Sequence, residues 1–209
     1  MSDAASNRVT IDPSDTVLLL IDHQAGLLLT VRDIDAAELR TNVSVLATLG
    51  ELLSIPTFTT ASEPDGPNGR TIPEVRSQAP RARHIARRGE INAWDNEDFV
   101  SAVRATGRKT LLIAGIWTSV CVALPALAAR AEGYRVYAVM DASGDVSEFV
   151  SRVTLARIVQ AGVVPTSVNA VISELQHRWR GPLDADFAAM YMKAVPSYAA
   201  VVDCHTRTK

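Results

Sequence analysis

The sequence predicts an α/β domain built on a parallel sheet with helices on both faces. Three observations predict it. Short apolar runs recur along the chain, and stretches with helical patterning separate them. Most of the runs are continuously apolar, as strands buried on both faces are. Gly107, Gly133 and Gly162 each follow a helical stretch, where a glycine closes a helix before the next strand.

The elements follow in order. "TVLLLID" (Thr16–Asp22) is the first strand, and Ala36–Leu53 is a helix. "PTFTTA" (Pro56–Ala61) is the second strand. "EPDGPNGR" (Glu63–Arg70) is a Pro/Gly/Asn loop, long enough to border a site. "RHIAR" (Arg83–Arg87) is a further candidate strand, followed by a helix over Asn96–Thr106. The strand "TLLIAGI" (Thr110–Ile116), a helix over Ser119–Ala131 and the strand "YRVYAVM" (Tyr134–Met140) come next. A helix over Ser147–Gln160, the strand "GVVPTSV" (Gly162–Val168) and a helix over Ala170–Trp179 complete the pattern. "ATGRKTLLIAG" and "AEGYRVYAVMD" share one plan of helix end, glycine, basic residue and buried strand. Crossovers are expected to be right-handed. The closing "PSYAAVVDCHTRTK" falls outside the sheet and reads as an arm packed on a neighbouring subunit.

The 209 residues suit one domain, with its core over about 12–180 and an oligomerisation arm over about 181–209. Charged residues at 21% and a net charge of −2 give no concentrated basic patch, which argues against a nucleic-acid partner. "RARHIARRGE" is locally basic but short. No apolar run reaches the ~20 residues of a membrane span. The start "MSDAASNRVTIDPSD" is polar, with no signal h-region. Cys121 and Cys204 lie far apart and form no disulfide framework, so a reducing cytoplasm is the expected compartment.

In an open parallel sheet, ligands bind at the carboxyl ends of the strands. Three polar groups stand there. Asp22 ends the first strand, as either a site carboxylate or a loop cap. Cys121 follows "TLLIAGI" across "WTS". Thr118 or Ser119 is expected to cap the next helix, placing Cys121 in its first turn. Free N–H groups and the helix dipole there favour a thiolate and bind an oxyanion. Pro125 fits an early helical position. The other reading of Cys121 is an ordinary buried thiol. Arg87 and Arg88 end "RHIARR", as a site cation or as a solvated basic edge. Together Asp22, a basic residue and Cys121 suit attack of a thiolate on an amide-like carbon, with Asp22 shuttling the proton.

"VLLLIDHQAGLL", "IARRGEINAWDNEDFVSAVRATGRKTLLIAGIWTSVCVALPALAA" and "GYRVYAVMDASGD" resemble the isochorismatase-like cysteine hydrolases, and their YcaC-like branch in particular. The resemblance runs from about Asp12 to Trp179. It implies a six-stranded parallel sheet and a catalytic Asp, Lys and Cys. Asp22 and Cys121 fall on two of these positions. Arg87 falls on that of the Lys, as the YcaC-like branch tends to have it. A guanidinium gives up no proton at working pH, so Arg87 supplies charge and orientation only. Arg88 stands where the branch often has Pro and is expected to be exposed. The resemblance also implies a non-proline cis peptide, mapping to Ile116–Trp117, and an oxyanion hole from the Trp117 and Cys121 backbone N–H groups.

With the family's fold, the doubly wound sheet is expected in the order 3-2-1-4-5-6, with a switch point between the strands ending at Asp22 and near Gly115. Gln24, Trp94, Trp117 and the Glu63–Arg70 loop are the expected substrate-pocket walls, with core packing as the other reading of Trp94. Asn92 and Asn96 hold the turn at Trp94. Asp141 orients the site or caps a helix. Asp145 stands where most relatives have Thr, which bears on specificity. Metal-binding members use an Asp and two closely spaced His. His23, His84, His177 and His205 form no such set, so no metal and no cofactor is expected. The expected function is hydrolysis of a small amide-like C–N bond through a Cys121 thioester, on a small-molecule substrate that the sequence does not name. An isochorismatase-type vinyl-ether hydrolase and a non-catalytic binding or scaffold protein on the same fold are the alternatives. The resemblance implies self-association, into a ring or an octamer. The Cys121 thiol is expected below its free pKa of ~8.5.

Overall fold

The computed structural model describes residues 10–207; residues 1–9, most of the polar opening stretch, lie outside the described part. The chain begins with β1 (Thr16–Ile21), the short helix α1 (Ala25–Leu28), α2 (Ala36–Leu52) and β2 (Thr57–Thr60). Then come α3 (Pro73–Gln78), β3 (Arg83–His84), a 3₁₀ turn (Ala93–Asp95) and α4 (Glu97–Arg104). β4 (Thr110–Gly115) leads through a π-helical turn (Thr118–Val122) into α5 (Ala123–Ala131). β5 (Arg135–Val139) and a 3₁₀ turn (Met140–Ala142) precede α6 (Glu148–Gln160), β6 (Val164–Thr166) and α7 (Val168–Gln176). Two further helices, α8 (Asp184–Ala194) and α9 (Pro196–Arg207), complete it.

The six strands form one sheet in the order β3-β2-β1-β4-β5-β6, and every neighbouring pair is parallel. This is the expected order, with its switch between β1 and β4. Gly107, Gly133 and Gly162 have φ of 71°, 88° and 80°, the left-handed conformation that closes each preceding helix. Several helix starts are capped by side chains. Asp35, Asn96, Ser147 and Ser167 each accept a first-turn N–H. Pro165 lies in β6, an edge strand, where a missing N–H is tolerated.

Strand side chains alternate between two cores, one on each face of the sheet. Leu18, Leu20, Leu112 and Ala114 face α2, α7 and α8. Val17, Leu19, Ile21, Leu111 and Ile113 face α4 and α5. Within the stretch expected as the arm, α8 packs on α2 and α7 and buries Phe187 and Met190 in the first core. α9 packs on α8 and is largely exposed. Among the described residues, no helix is long and apolar enough to cross a membrane.

Candidate active site

The carboxyl edge at the β1/β4 switch gathers three side chains from three connections. β1 ends at Ile21, and Asp22 turns the chain with φ 58°, a conformation Asp tolerates better than bulky residues. Its backbone N–H donates to Thr60 O at 3.0 Å, across the end of β2. Its side chain is fully buried. Asp22 Oδ1 accepts the Ser62 N–H at 2.8 Å and a hydrogen bond from Arg87 Nη2. Oδ2 accepts no N–H or O–H bond among the described residues.

Arg87 reaches Asp22 from the loop after β3, because β3 stops at His84. Its side chain is 1% exposed. Nη1 donates to Glu90 O at 3.1 Å and Ile91 O at 2.8 Å. The guanidinium is thus fastened between a carboxylate and two carbonyls, which suits its planar fork. Arg88 points outward and pairs with Asp98 at 2.9 Å, both side chains exposed.

Cys121 sits in the π-helical turn and is buried. Gly115 makes room for it. A Cβ at 115 would lie 2.5 Å from Ile21 O and 3.4 Å from Cys121 Cβ. The Ile116–Trp117 peptide is cis. The thiol is pushed well above its usual range, against the expectation of a lowered value. Burial is the first cause, followed by the charge and hydrogen bonding of Asp22. Arg87 and the Trp117 backbone pull the other way and are outweighed.

The turn also offers no free helix start to offset burial and Asp22. Neither Thr118 nor Ser119 caps it with a side chain. Thr118 N–H donates to Gly144 O at 2.9 Å, and Ser119 N–H to Asp145 Oδ2 at 2.7 Å. Val120 and Cys121 both donate to Trp117 O, at 3.1 and 2.7 Å. The donors expected to favour a thiolate already have partners. Asp145, fully buried, is therefore a brace for the Cys121 turn. Its Oδ1 accepts from Val146 N at 2.9 Å, its N–H donates to Asp33 Oδ1 at 2.7 Å, and its carbonyl accepts from Arg32 N at 2.8 Å.

The other expected site residues divide between the site and the core. Gln24 is buried with both ends of its amide committed. Nε2 donates to Ser62 O at 2.9 Å and to Gly69 O, and Oε1 accepts from Ser62 N at 3.0 Å. It staples the Glu63–Arg70 loop to the end of β1 instead of presenting a free amide to a substrate. Trp94 lies at the other edge of the sheet. Its indole N–H donates to Glu132 at 2.9 Å, and its ring meets Tyr134 edge-on, centroids 5.6 Å apart, just before β5 begins. It is core packing. Trp117 stays beside Cys121, half-buried, with its indole N–H on Thr30 Oγ1 at 2.6 Å. Asn92 and Asn96 cap the turn around Trp94, as expected. Asp141 takes its second expected role and caps α7 through Val168 N at 2.8 Å.

His23 is buried, and its Nε2 donates to Ala142 O at 2.9 Å. Burial lowers its pKa to about 4, so the ring is neutral. His177 and His205 are exposed. Among the described residues, no three His, Cys, Asp or Glu side chains converge to hold a metal. The Glu63–Arg70 loop does border a cavity of about 290 Å³, lined by Ala61, Pro64, Asp65, Arg70, Thr71, Arg76 and His84. That cavity is not lined by Asp22, Arg87 or Cys121.

The isochorismatase domain model matches residues 16–170. "Probable hydrolase YcaC" of Escherichia coli (strain K12) is 45% identical over 190 residues, 91% of each chain. The crystal structure of the E. coli YcaC gene product, described as an octameric hydrolase of unknown specificity, superposes with a TM-score of 0.92 at 44% identity. It covers 97% of this chain and 98% of that one. YcaC from Pseudomonas aeruginosa, with hexane-2,5-diol and covalent acrylamide, superposes with a TM-score of 0.91 at 43% identity, covering 95% and 98%.

Proposed function

The chain belongs to the isochorismatase domain family, and on that premise we propose that it is a cysteine-dependent hydrolase of a small amide-like C–N bond. One observation carries the reading. Asp22, Arg87 and Cys121 arrive from three separate connections and form one buried electrostatic unit at the switch point. Burying an ion pair and a thiol together has little structural benefit, and functional sites concentrate such perturbed groups.

The raised thiol makes the resting state Cys121–SH beside the Asp22–Arg87 ion pair. As sulfur attacks the carbonyl carbon, Asp22 takes the thiol proton. The negative charge passes from Asp22 to the tetrahedral oxygen, so the net charge of the site does not change. Asp22 returns the proton to the leaving amine, and the C–N bond breaks to leave a thioester. Water, deprotonated by Asp22, then adds to the thioester. Collapse releases the acid, and the proton goes back to sulfur. Arg87 orients Asp22 and exchanges no proton. The Trp117 N–H, which favours a negative sulfur at rest, is the main donor to the oxyanion once the charge moves there. The Cys121 N–H assists only as a shared bond, because Trp117 O already holds it. Trp117 remains a pocket wall. The acrylamide bound covalently in the Pseudomonas relative supports the reading, since acrylamide bonds to soft nucleophiles such as thiols.

The chain self-associates in this reading, as the octameric relative does. Exposed Phe149 and Val153 on α6 and Val201 on α9 are apolar surface for that contact. A cytoplasmic location suits a cysteine that must stay reduced. The test is a panel of small amides, ureas and hydroxamates, followed by amine release and by mass spectrometry of the intact chain. A transient acyl adduct on Cys121 is expected. Turnover that survives in Cys121→Ala would overturn the mechanism.

A further inference from the structure

Resting on the hydrolase reading above, we infer that the Cys121 site takes uncharged or cationic amides and refuses anionic ones, and that Asp145 sets this preference. Helix starts ordinarily attract anions through free N–H groups and the dipole. This one is closed. All four N–H groups from Thr118 to Cys121 already have acceptors: Gly144 O, Asp145 Oδ2, and Trp117 O twice. No donor of that turn is left for a substrate carboxylate. The group standing where an anion would dock is itself a carboxylate.

Asp145 is built in firmly. It is 0% exposed, and both its oxygens accept backbone N–H bonds, one from Ser119 and one from Val146. An anion in that position is screened weakly by water and salt. Asp33 lies directly behind it, bonded to the Asp145 N–H at 2.7 Å. Asp22, also fully buried, acts on Cys121 as a second anion.

The nearby cations are engaged. Arg87 is held by Asp22, Glu90 O and Ile91 O. Arg32 directs its guanidinium to Leu29 O and Val31 O, at 2.9 and 2.6 Å. An incoming carboxylate therefore meets fixed negative charge and no uncommitted donor in the turn. A neutral amide has no such conflict, since its carbonyl needs a single donor and its N–H groups suit carboxylate acceptors. A cationic group gains from the same field.

The experiment reads the site through Cys121 alone, in a Cys204→Ser chain. Three methanethiosulfonates of similar size are used: hydroxyethyl (neutral), aminoethyl (cationic) and sulfonatoethyl (anionic). Mass spectrometry gives the rate at Cys121, and each rate is divided by that of a small free thiol. The anionic reagent is expected to fall about tenfold or more below the neutral one, and the cationic reagent to equal or exceed it. Asp145→Asn keeps an oxygen for the Ser119 N–H but removes the charge, and is expected to raise the anionic-to-neutral ratio several-fold. Asp145→Ser serves the same purpose if the Asn chain does not fold. Equal normalised rates for the anionic and neutral reagents in the Asp145 chain overturn the inference. So does a ratio unchanged in the folded variants. If none of the three reagents modifies Cys121, the nucleophile reading itself falls, and the charge preference falls with it.

Discussion

Arg87 and Asp22 form an ion pair with side chains 1% and 0% exposed, across 65 positions of sequence. Each charge is out of water, so each depends on the other. Removing one partner strands the second, at a typical cost of about 3–5 kcal/mol. Arg87→Met is expected to lose that much in urea unfolding and to lose turnover as well. Arg87→Lys is expected to recover part of the stability only, since one ammonium does not reach Asp22 and both loop carbonyls in the fork geometry. An Arg87→Met chain as stable as the parent would contradict this view of the pair.

Asp22→Asn separates two consequences of one carboxylate. Asp22 raises the Cys121 thiol, so neutralising it brings the thiol down and increases the thiolate present at neutral pH. Alkylation of Cys121 by iodoacetamide is expected to speed up at pH 7, while turnover disappears with the proton carrier. In the unmutated site, alkylation is expected to keep rising with pH beyond the ordinary thiol range. A plateau below pH 8 would show that the thiol is not held up.

His23 makes stability depend on mildly acidic pH. Its pKa drops from 6.5 to about 4 on folding, so the folded chain favours the neutral ring. That contribution is complete above pH 6.5 and is lost as pH falls through about 4. Its size is on the order of 3 kcal/mol. Urea midpoints at pH 7 and pH 4.5 are expected to differ less in His23→Asn than in the parent. Equal pH dependence in both chains would remove His23 as a cause.

Trp94→Phe tests where that ring belongs. The variant loses the indole hydrogen bond to Glu132 and part of the buried ring packed on Tyr134, so stability is expected to fall by about 1–3 kcal/mol. Turnover and Cys121 labelling are expected to stay within twofold. A large fall in turnover at full stability would return Trp94 to the pocket.

Much of the architecture was readable before any coordinates. Runs such as "TLLIAGI" admit few alternatives to a buried parallel strand, and glycines at 107, 133 and 162 mark the helix ends. The positions of Asp22 and Cys121 at strand ends followed from that. α1 and α3 were missed, because four and six residues carry no usable periodicity. The polar wiring was missed for a different reason. Ser119 finds its acceptor 26 residues away, Trp94 finds Glu132 at 38, and Gln24 finds Ser62 at 38. Local propensity contains none of these partners. "WTS" offered two good capping hydroxyls, and long-range acceptors displaced both. The thiol shift runs against the expected direction because burial and the Asp22 charge outweigh Arg87 and the Trp117 backbone, and neither is visible in local sequence.

Gly115 ties the chemistry to the backbone of the domain. It pairs with Ile21 in the central ladder, and its absent Cβ is the space between Ile21 O and Cys121 Cβ. One methyl group added there presses on the β1/β4 seam and on the reactive turn at once. The two cannot drift apart over evolutionary time. A lineage that changes residue 115 has to rebuild its sheet before it can explore a new reaction, whereas the outer loops are open to variation without that toll.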